Sequence, residues 1–591
     1  MILQALTNYY EQLLQDGKVG KNGWSRAKVS YAITIDQKGK VRGIVPLESI
    51  KEDGKKIIPT VEVPYQKGRS RKISPNFLCD NAKYLLGAWT VTDDLVLNEK
   101  NKKQAIEYFL ASKEYHQRLL GKSQSSWAKS ICDFFDTWDF ETFRDQFDVD
   151  WEKIIGASNL VFRSFETREE YQNILELKEI WNSNFANQGN ENVKRCLVTG
   201  ERSAIARLHP LLKGVQGAQS SGAALVSFNG TAFESYGKQQ GDNAPVSEYA
   251  ANAYGSTLNY LLGDKAHRRL MGDTTVVFWA ENGMNEYSDF LGILLGDTEQ
   301  SDEDKLVRTM SKISRGEKCT YEDVELKPET KFYILGLSPN AARVSVRFFY
   351  NSTFGKIIAN MNAHYERMKI VKPMYEETEY PTVREILYET VNKKSSKKQV
   401  QPILVGAVMK ALVQNQRYPA ALYSHILLRI RSEKYINRNK AAIVKDYIIK
   451  NYPEKKEVVE TVELNSNTTY LPYVLGRLFA VLEDIQKQAI EKETIKDRYF
   501  NSACSTPAVV FPQMMKLANS HMRVLAKSQE KIKQINYARL KKQMRELMGK
   551  INESYPKNLL LEDQGIFIIG YYHQVQEFYT KKEKNEDGQE V

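Results

Sequence analysis

The chain has few cysteines and histidines, and neither residue type is grouped. Its 591 residues include five cysteines, no two of them within fifty residues of each other, so no CxxC pair is present. An odd, scattered set of thiols is typical of a reducing cytoplasm rather than of a disulfide framework, and the spacing excludes a zinc ribbon or zinc finger. The seven histidines are also widely spaced, so we expect no local metal site and no cofactor.

The common catalytic motifs are missing as well. The only Gly-Lys-Ser lies at 121–123, and His116 stands where a phosphate-binding loop would need a glycine. No GxGxxG, GxSxG or HExxH occurs. We interpret the acidic run at 302–304 as a solvated turn. These absences favour a binding or assembly protein over an ATPase, a zinc enzyme or an α/β hydrolase, although a site built from distant residues stays open.

Long hydrophobic runs are absent too. The longest uncharged run, residues 214–233, is rich in Gly, Gln, Ser and Asn, so it is too polar to span a membrane. The first fourteen residues, MILQALTNYYEQLL, lack a basic start and include Glu11, which predicts an amphipathic helix rather than a signal peptide. We therefore expect a soluble, cytoplasmic protein with no membrane partner.

The chain does contain a strongly basic C-terminal part. Residues 391–591 hold 34 Lys and Arg against 21 Asp and Glu, whereas residues 1–390 hold 50 against 52. Residues 523–550 alone hold nine basic and two acidic side chains. Such a one-sided distribution is typical of nucleic-acid binding, although charge alone fits a solvated helix face equally well.

Strand patterns occur near the start of the chain. Residues 28–35 (KVSYAITI) alternate apolar and polar side chains and predict one strand. Residues 41–46 and 57–65 predict its neighbours, with Gly39 and Gly54 in the connecting turns.

Further strands are predicted before residue 383. Residues 274–280 (TTVVFWA) predict a short buried strand. Residues 331–337 and 342–350 predict a hairpin around a Ser-Pro-Asn turn at 338–340, and a helix is expected to follow at 354–367.

Helical patterns dominate the rest of the chain. Pro402 and Pro419 each begin a helical pattern, and apolar residues from Leu471 to Ile485 recur every three or four positions, which predicts one apolar stripe on a long helix. Two more helices are expected after Pro507, the second of which carries the basic run.

The predicted fold class is α+β, with a mixed N-terminal region of small β-sheets and helices followed by an all-α C-terminal helical bundle. We place the region boundaries at 1–390 for the mixed region, 391–465 for a helical connector and 466–591 for the bundle.

The most unusual composition lies in residues 196–263, which are dense in Gly, Ser, Asn and Gln and poor in charge. Apolar residues at 225, 226, 228, 233 and 236 are expected to anchor this segment. Small residues let a backbone approach a ligand closely, and amide side chains pair with the edges of bases. Composition alone nevertheless favours an ordered surface loop held by its own polar contacts. His209, which precedes Pro210, is expected to be a structural hydrogen-bonding residue rather than a base.

Four segments make the sequence recognisable. They are LVTGERSAIARLHPLLKGVQGAQSSGAALVSFNGTAFESYGKQQGDNAPVSEYA at 197–250, SPNFLCDNAKYLLG at 74–87, ARVSVRFFYNSTFGKIIANM at 342–361 and YVLGRLFAVLEDIQKQAI at 473–490. All four resemble the large subunit of the type I-C CRISPR surveillance complex, and they fall in the order in which that family has them.

The resemblance implies a non-catalytic subunit of a ribonucleoprotein. Its partners would be a guide RNA (crRNA), a filament of backbone subunits, a guide-processing subunit, small subunits, target double-stranded DNA and a helicase–nuclease. The large subunit would recognise a short protospacer-adjacent motif in the duplex, promote R-loop formation, hold the displaced strand and help to recruit the helicase–nuclease. Because guide pairing reads most of the target, the protein needs to read only a few base pairs.

Two sets of DNA-binding residues are predicted on this basis. For the flanking motif they are Asn229, Ser235, Tyr236, Lys238 and Asn243 in the polar segment, with Lys72, Asn76 and Asn81 as a second group. For the displaced strand they are Arg523, Lys527, Lys531, Lys533, Arg539, Lys541, Lys542 and Arg545, about half of which are expected to touch DNA because they cannot all lie on one helix face.

The resemblance also extends to a separate small subunit, since residues from about 471 to 591 resemble the product of an internal start. No methionine lies between Met409 and Met514, so such a start would need a non-AUG codon.

Two alternatives stay open from the sequence. One is a nuclease with a carboxylate site built from distant residues, and the other is a scaffold that binds guide RNA without touching DNA.

Overall fold

The computed structural model describes residues 2–50, 56–66, 73–91, 95–157, 159–187, 192–296, 303–373, 375–376, 381–396, 398–491 and 494–579. The chain divides into two compact units. The first unit comprises residues 1–264 and 339–345, and the second comprises 265–338 and 346–591. The predicted α+β class with a helical C-terminal region is confirmed. The functional boundaries at 390 and 465 stay a prediction.

The described part of the first unit contains eight α-helices, most of them short. They are α1 (Ile2–Gln15), α2 (Ala82–Leu86), α3 (Leu95–Leu120), α4 (Ser126–Thr137), α5 (Phe143–Gln146), α6 (Trp151–Gly156), α7 (Leu175–Asn187) and α8 (Glu248–Gly263).

The strands of the first unit are also short, which is typical of small sheets. They are β1 (Trp24–Lys28), β2 (Tyr31–Ile35), β3 (Val41–Pro46), β4 (Ser49–Ile50), β5 (Lys56–Ile57), β6 (Thr60–Pro64), β7 (Cys79–Asp80), β8 (Leu160–Ser164), β9 (Val193–Arg195), β10 (Arg202–Ala204), β11 (Leu211–Leu212) and β12 (Ala223–Ala224).

The largest sheet formed by these strands has the order β3-β2-β8-β7. Its centre is a parallel pair, in which Tyr31 of β2 faces Leu160 of β8, and β3 and β7 add antiparallel strands on either side. Gly39, at φ 73°, lies in the β2–β3 turn, where glycine avoids the cost of a left-handed backbone. β2 and β8 carry mostly buried side chains, as expected for strands covered on both faces.

The predicted strand over residues 28–35 is confirmed over 31–35 as β2, but Lys28 is the last residue of a separate strand, β1. β1 pairs with β6 in a separate two-stranded sheet, whereas β2 pairs with β3 and β8. Between them, the Val29 N–H donates to Pro59 O and the Ser30 N–H donates to Asn159 O, so the chain changes pairing partners at this point. The predicted strand at 57–65 corresponds mainly to β6, which is shorter than predicted. β6 pairs with β1 rather than with β2.

The core of the first unit is aromatic, and two of its buried indoles donate hydrogen bonds to backbone carbonyls. Phe77 stacks between His116 and Trp181, at ring-centroid distances of 5.4 and 5.3 Å. The Trp181 indole donates to Gly23 O at 2.7 Å, and the Trp138 indole donates to Leu86 O at 2.9 Å. These bonds offset the cost of burying a polar N–H.

The described part of the second unit is mainly helical. Its helices are α9 (Asn285–Gly296), α10 (Glu303–Ser314), α11 (Phe354–Met368), α12 (Val383–Tyr388), α13 (Pro402–Val413), α14 (Ala420–Glu433), α15 (Arg438–Asn451), α16 (Lys456–Val459), α17 (Leu471–Ile490), α18 (Thr494–Ser505), α19 (Pro507–Lys527), α20 (Lys531–Gly549) and α21 (Leu561–Tyr579).

The remaining strands lie between α8 and α11. They are β13 (Arg268–Met271), β14 (Thr274–Ala280), β15 (Cys319–Tyr321), β16 (Val324–Leu326), β17 (Lys331–Asn340) and β18 (Arg343–Thr353). β13, β14, β17 and β18 are consecutive in one sheet. β14 is buried along its whole length, so its prediction is confirmed. The predicted hairpin is confirmed as well, but its turn lies at Ala341–Ala342 rather than at 338–340.

The C-terminal helices pack around α17. This helix is buried on nearly all sides rather than along one stripe, because α19, α20 and α21 all pack against it. Gly476 of α17 and Gly570 of α21 lie where a Cβ would clash with the backbone of the facing helix. The expectation of only two helices after Pro507 is wrong, since α21 is a third helix and most of its residues are buried.

No helix in the described part of the chain is both long enough and apolar enough to cross a membrane.

Candidate nucleic-acid interface

The polar segment predicted to bind DNA forms an extended connection in the first unit. We define the polar loop as residues 213–245, between β11 and α8. Its regular structure consists of β12 and two short 3₁₀ turns, Thr231–Phe233 and Gln240–Asn243. The loop is held to the protein at β12, where Leu212 pairs with Ala223 and Ala224 pairs in parallel with Arg343.

Cys196 connects the residues just after it to the start of α8 through hydrogen bonds. Its Sγ accepts N–H groups from Val198 at 3.3 Å and Ser247 at 3.2 Å, and the Leu197 N–H donates to Pro245 O at 2.9 Å. Burial opposes ionisation of the thiol, yet the hydrogen bonds from Ser247 and Thr199 outweigh it and lower the pKa of Cys196 to about 7. The thiol therefore positions the start of α8 beside the start of the polar segment.

His209 has the structural role expected from the sequence. Its Nδ1 is hydrogen-bonded to the Tyr254 hydroxyl of α8 at 2.6 Å. Burial lowers the pKa of His209 to about 4, so the imidazole is neutral at physiological pH.

The tip of the polar loop is a tight turn at residues 235–238. The Lys238 N–H donates to Ser235 O at 3.0 Å, and both central residues, Tyr236 (φ 54°) and Gly237 (φ 66°), adopt the left-handed conformation. This conformation is unfavourable for a residue as bulky as tyrosine, so the rest of the loop must hold it in place. As a result the Tyr236 side chain is 98% exposed.

Asn243 supplies much of that support. Its Oδ1 accepts the Ser235 N–H at 3.0 Å, and its Nδ2 donates to Lys238 O and Gln240 O, both at 3.0 Å. One amide thus holds both sides of the turn. Its donors and one acceptor position are used within the loop, and its predicted contact with a base stays a prediction.

A second assembly lies around Asn229. Its Oδ1 accepts a hydrogen bond from Arg343 Nη2 at 2.7 Å, and the same guanidinium lies 3.9 Å from the centre of the Phe233 ring. Arg343 comes from the first position of β18, 114 residues further along the chain than Asn229. Phe233 remains 45% exposed. A flat cation is thereby held over an aromatic ring at the surface of the polar loop.

The predicted apolar anchors of the loop separate into two groups. Leu225, Val226 and Phe228 are partly buried, as expected of anchors. Phe233 and Tyr236 are exposed, so their prediction as anchors is wrong. The loop is held instead by side-chain hydrogen bonds to its own backbone, and the two rings are left at its surface.

The remaining predicted residues for the flanking motif lie elsewhere in the first unit. Asn76 is buried, and its Nδ2 donates to Gln66 Oε1 at 2.9 Å. Asn81 caps the start of α2 by accepting the Lys83 N–H at 3.1 Å. Both amides therefore have local structural roles, and their binding to DNA stays a prediction. Lys72 lies outside the described residues.

The residues predicted to hold the displaced strand lie on α19 and α20 of the second unit. Six of the eight are exposed, namely Arg523, Lys527, Lys531, Lys541, Lys542 and Arg545. The other two are partly buried and paired with acids: Arg539 Nη2 lies 2.8 Å from Asp484, and Lys533 Nζ lies 2.9 Å from Glu530. The exposed group is the one that remains available to phosphates.

Sequence reasoning missed Arg343. It stands in the segment 342–361 that carries the family resemblance, at the second position of the predicted strand 342–350, but nothing in its sequence neighbourhood points to the polar loop. Only the parallel pairing of Ala224 with Arg343 brings the guanidinium to Asn229 and Phe233.

The described residues hold no group of three or more His, Cys, Asp or Glu side chains arranged to bind a metal ion.

Comparison with known proteins gives one family. The family described as CRISPR-associated protein (Cas_Csd1) matches residues 6–579. No curated protein matches the chain.

Proposed function

Because the chain belongs to the family of CRISPR-associated proteins described as Cas_Csd1, we propose that it is the large subunit of a crRNA-guided type I-C surveillance complex. In this role it recognises the protospacer-adjacent motif in duplex DNA, promotes R-loop formation, holds the displaced strand and helps to recruit the helicase–nuclease. The observation that carries the proposal is the family match over nearly the whole chain.

The polar loop is the surface that best suits recognition of the flanking motif. Its tip combines an exposed Tyr236 with a backbone that Asn243 fixes, and Phe233 of the same loop lies against Arg343 of β18. Rigid aromatic and amide groups at a surface are suited to contacts with bases, since every base offers a flat face and a hydrogen-bonding edge. Residues 192–247 and 339–345 hold seven Lys or Arg and three Asp or Glu, which favours approach to DNA.

The exposed cations of α19 and α20 suit the displaced strand. Exchanging a DNA duplex for a guide–target duplex is nearly balanced in free energy, so contacts to the freed strand shift it towards opening. Contacts to phosphates need no fixed direction. Five of the six exposed cations make no hydrogen bond or ion pair with another side chain in the described part of the chain, so they remain available for such contacts.

The partners follow from the same role. They are crRNA, target double-stranded DNA, the backbone, guide-processing and small subunits, and the helicase–nuclease that degrades the opened DNA. We place the complex in the cytoplasm and assign the chain no catalytic activity of its own, which is consistent with its lack of the common catalytic motifs.

The direct experiment is a binding assay with the complex purified from cells that express the neighbouring genes. A duplex library with randomised flanking positions first identifies the motif, and the affinity for duplexes with and without it is then measured. We expect selective binding of motif-bearing duplexes. Equal affinity for both would contradict the proposal and favour a scaffold that binds only the guide.

A substitution of Tyr236 tests whether the polar loop is responsible for that selectivity. Tyr236→Ala should lower binding to a closed motif-bearing duplex by about tenfold, because a stacked aromatic contributes about 1–3 kcal/mol. It should have a smaller effect on a target whose strands are already separated by mismatches. An equal loss on both targets would contradict a role in recognising or opening the duplex.

The same preparation tests for catalysis. Incubation of the complex with labelled DNA and Mg²⁺ or Mn²⁺, without the helicase–nuclease, should leave the DNA intact. Cleavage that persists through purification would overturn the non-catalytic assignment and support the nuclease alternative.

A further inference from the structure

We infer that Arg343 reads a guanine in the major groove of the flanking duplex, as part of a unit formed with Phe233 and Asn229. The inference rests on the proposed function, since it identifies the chemistry by which the polar loop would recognise its motif. All three residues belong to the first unit.

The guanidinium of Arg343 is fixed before any ligand arrives. Its Cζ lies 3.9 Å from the Phe233 ring centre, and Nη2 donates to Asn229 Oδ1 at 2.7 Å. The backbone is fixed too, because Ala224 N–H donates to Ala342 O at 3.0 Å and Ala224 pairs with Arg343. Ordering a long side chain in advance removes the entropy cost that it would otherwise contribute on binding.

The ordered guanidinium keeps donors available. Among the described residues, Arg343 Nη2 has the single partner Asn229, and neither Nη1 nor Nε donates a hydrogen bond. Arg343 also has no acidic partner within ion-pair distance in the described part of the chain. The site therefore presents a planar set of N–H groups at the loop surface, with one orientation held by two neighbours.

Guanine is the base whose edge matches these donors. In the major groove it offers two adjacent acceptors, O6 and N7, and arginine binds both with its fork. A phosphate would be satisfied by a charge that approaches from many directions, so it would not need the guanidinium plane to be fixed by a ring and an amide. The fixed plane thus favours base recognition over a backbone contact.

The first test needs no variant. The flanking motif found by the randomised library should require a G·C pair at one or more positions. A motif built only from A·T pairs would overturn the inference and leave the proposed function intact.

The decisive test compares guanine with 7-deazaguanine, which lacks the N7 acceptor. Affinities are measured for the wild-type complex and for complexes carrying Arg343→Lys or Arg343→Gln, on duplexes with either base at the required position. The wild type should lose about fivefold or more on 7-deazaguanine. Both variants should bind the natural motif roughly 5- to 150-fold more weakly and should no longer distinguish the two bases. Arg343→Lys should not restore binding or discrimination, because lysine keeps the positive charge but lacks the paired donors of the guanidinium.

Controls separate this contact from a folding defect. A single-stranded target is bound by guide pairing alone, so all complexes should bind it equally well. Phe233→Leu keeps the Arg343 donors and removes the ring, and it should give an intermediate loss with partial sensitivity to 7-deazaguanine. Gln219→Ala changes an exposed residue of the same loop outside the proposed contacts and should match the wild type.

Two outcomes would overturn the inference while the proposed function stands. If Arg343→Gln weakened binding equally for every flanking sequence and lysine restored it, the residue would contact a phosphate. If the Arg343 variants bound the motif and distinguished guanine from 7-deazaguanine as the wild type does, the guanidinium would have only a structural role in the loop. The proposed function fails separately, when the wild-type complex itself shows no dependence on the flanking motif.

Discussion

In the polar loop of the first unit the candidate amides Asn229 and Asn243 are bonded to neighbours, whereas along α19 and α20 of the second unit the candidate cations mostly project into solvent. Asn243 uses its amide to hold the backbone around Tyr236, and Asn229 holds Arg343 over Phe233. By contrast, Lys531, Lys542 and Arg545 are exposed and have no side-chain partner in the described part of the chain.

The difference corresponds to two kinds of recognition. Reading a base requires donors and acceptors at fixed positions, so an ordered surface gains selectivity. Holding a strand of any sequence requires charge that adapts to phosphate positions, and its strength falls steeply with salt. The first unit supplies fixed positions through hydrogen bonds, and the second unit supplies charge on helices that close packing supports.

The largest expected effect concerns the buried hydrogen bonds of the first unit. His116 is fully buried, its Nδ1 donates to Ser112 O at 2.8 Å, and its Nε2 accepts the Leu78 N–H at 3.0 Å, so the fold requires the neutral ring. Burial lowers the pKa of His116 to about 4. Because the unfolded chain binds this proton near pH 6.5, its contribution to stability is complete above that pH. It is lost as the pH falls towards 4, by up to about 3 kcal/mol.

The measurement is denaturant unfolding between pH 7.5 and pH 4.5. His116→Gln should be less stable than the wild type at neutral pH and should lose less stability on acidification. Parallel pH profiles for the two proteins would exclude His116 as the responsible group.

The second effect concerns the helix packing beneath the basic surface. Gly476→Ala places a Cβ against the carbonyl oxygen of Phe567, a backbone atom that cannot move without displacing α21. We expect a loss of about 1–3 kcal/mol, as for other overpacked sites. Gly549→Ala, at the end of α20 with open space around it, is the matched control and should be neutral in thermal unfolding. Equal stability of the two variants would show that the α17–α21 crossing tolerates a side chain.

The third effect concerns the order of the polar loop. Asn243→Ala removes three hydrogen bonds that hold the turn at 235–238, so the tip should become mobile and binding to motif-bearing duplexes should fall by about tenfold. Affinity for the single-stranded target should be unchanged. If the variant kept full motif selectivity, the fixed geometry of the loop would not matter for recognition.

The smallest effect on DNA affinity at physiological salt is expected from the exposed cations of α20. Replacing Lys531, Lys542 and Arg545 together by alanine should flatten the dependence of log affinity on log salt by about 2, since each phosphate contact to a single strand contributes about 0.7. Lys533→Ala is the control, because Lys533 is already paired with Glu530 and Glu491. If Lys533→Ala flattened the salt dependence more than the triple variant does, the roles assigned to these residues would be reversed.

Local patterns in the sequence determined much of this molecule. The buried strand β14, the β17–β18 hairpin, the helices from Pro402 onward and the α+β class follow from residue periodicity and turn chemistry, which act over a few positions. Periodicity fails where an element is buried on all sides. α21 contains the apolar run 566–569 and glycines at 565 and 570, so its helix is stabilised by packing against α17 rather than by an amphipathic pattern.

Tertiary structure decided which residues meet. The change of partners between β1 and β2 depends on Pro59 and Asn159, and the Arg343–Asn229 bond joins residues 114 positions apart. The sequence contained Asn229, Phe233 and Arg343, and the resemblance pointed to the polar loop, but no local pattern encodes a pairing over that distance. The candidate reading site exists because one parallel β-bridge brings the start of β18 to the loop, a contact whose free energy depends on the whole folded unit.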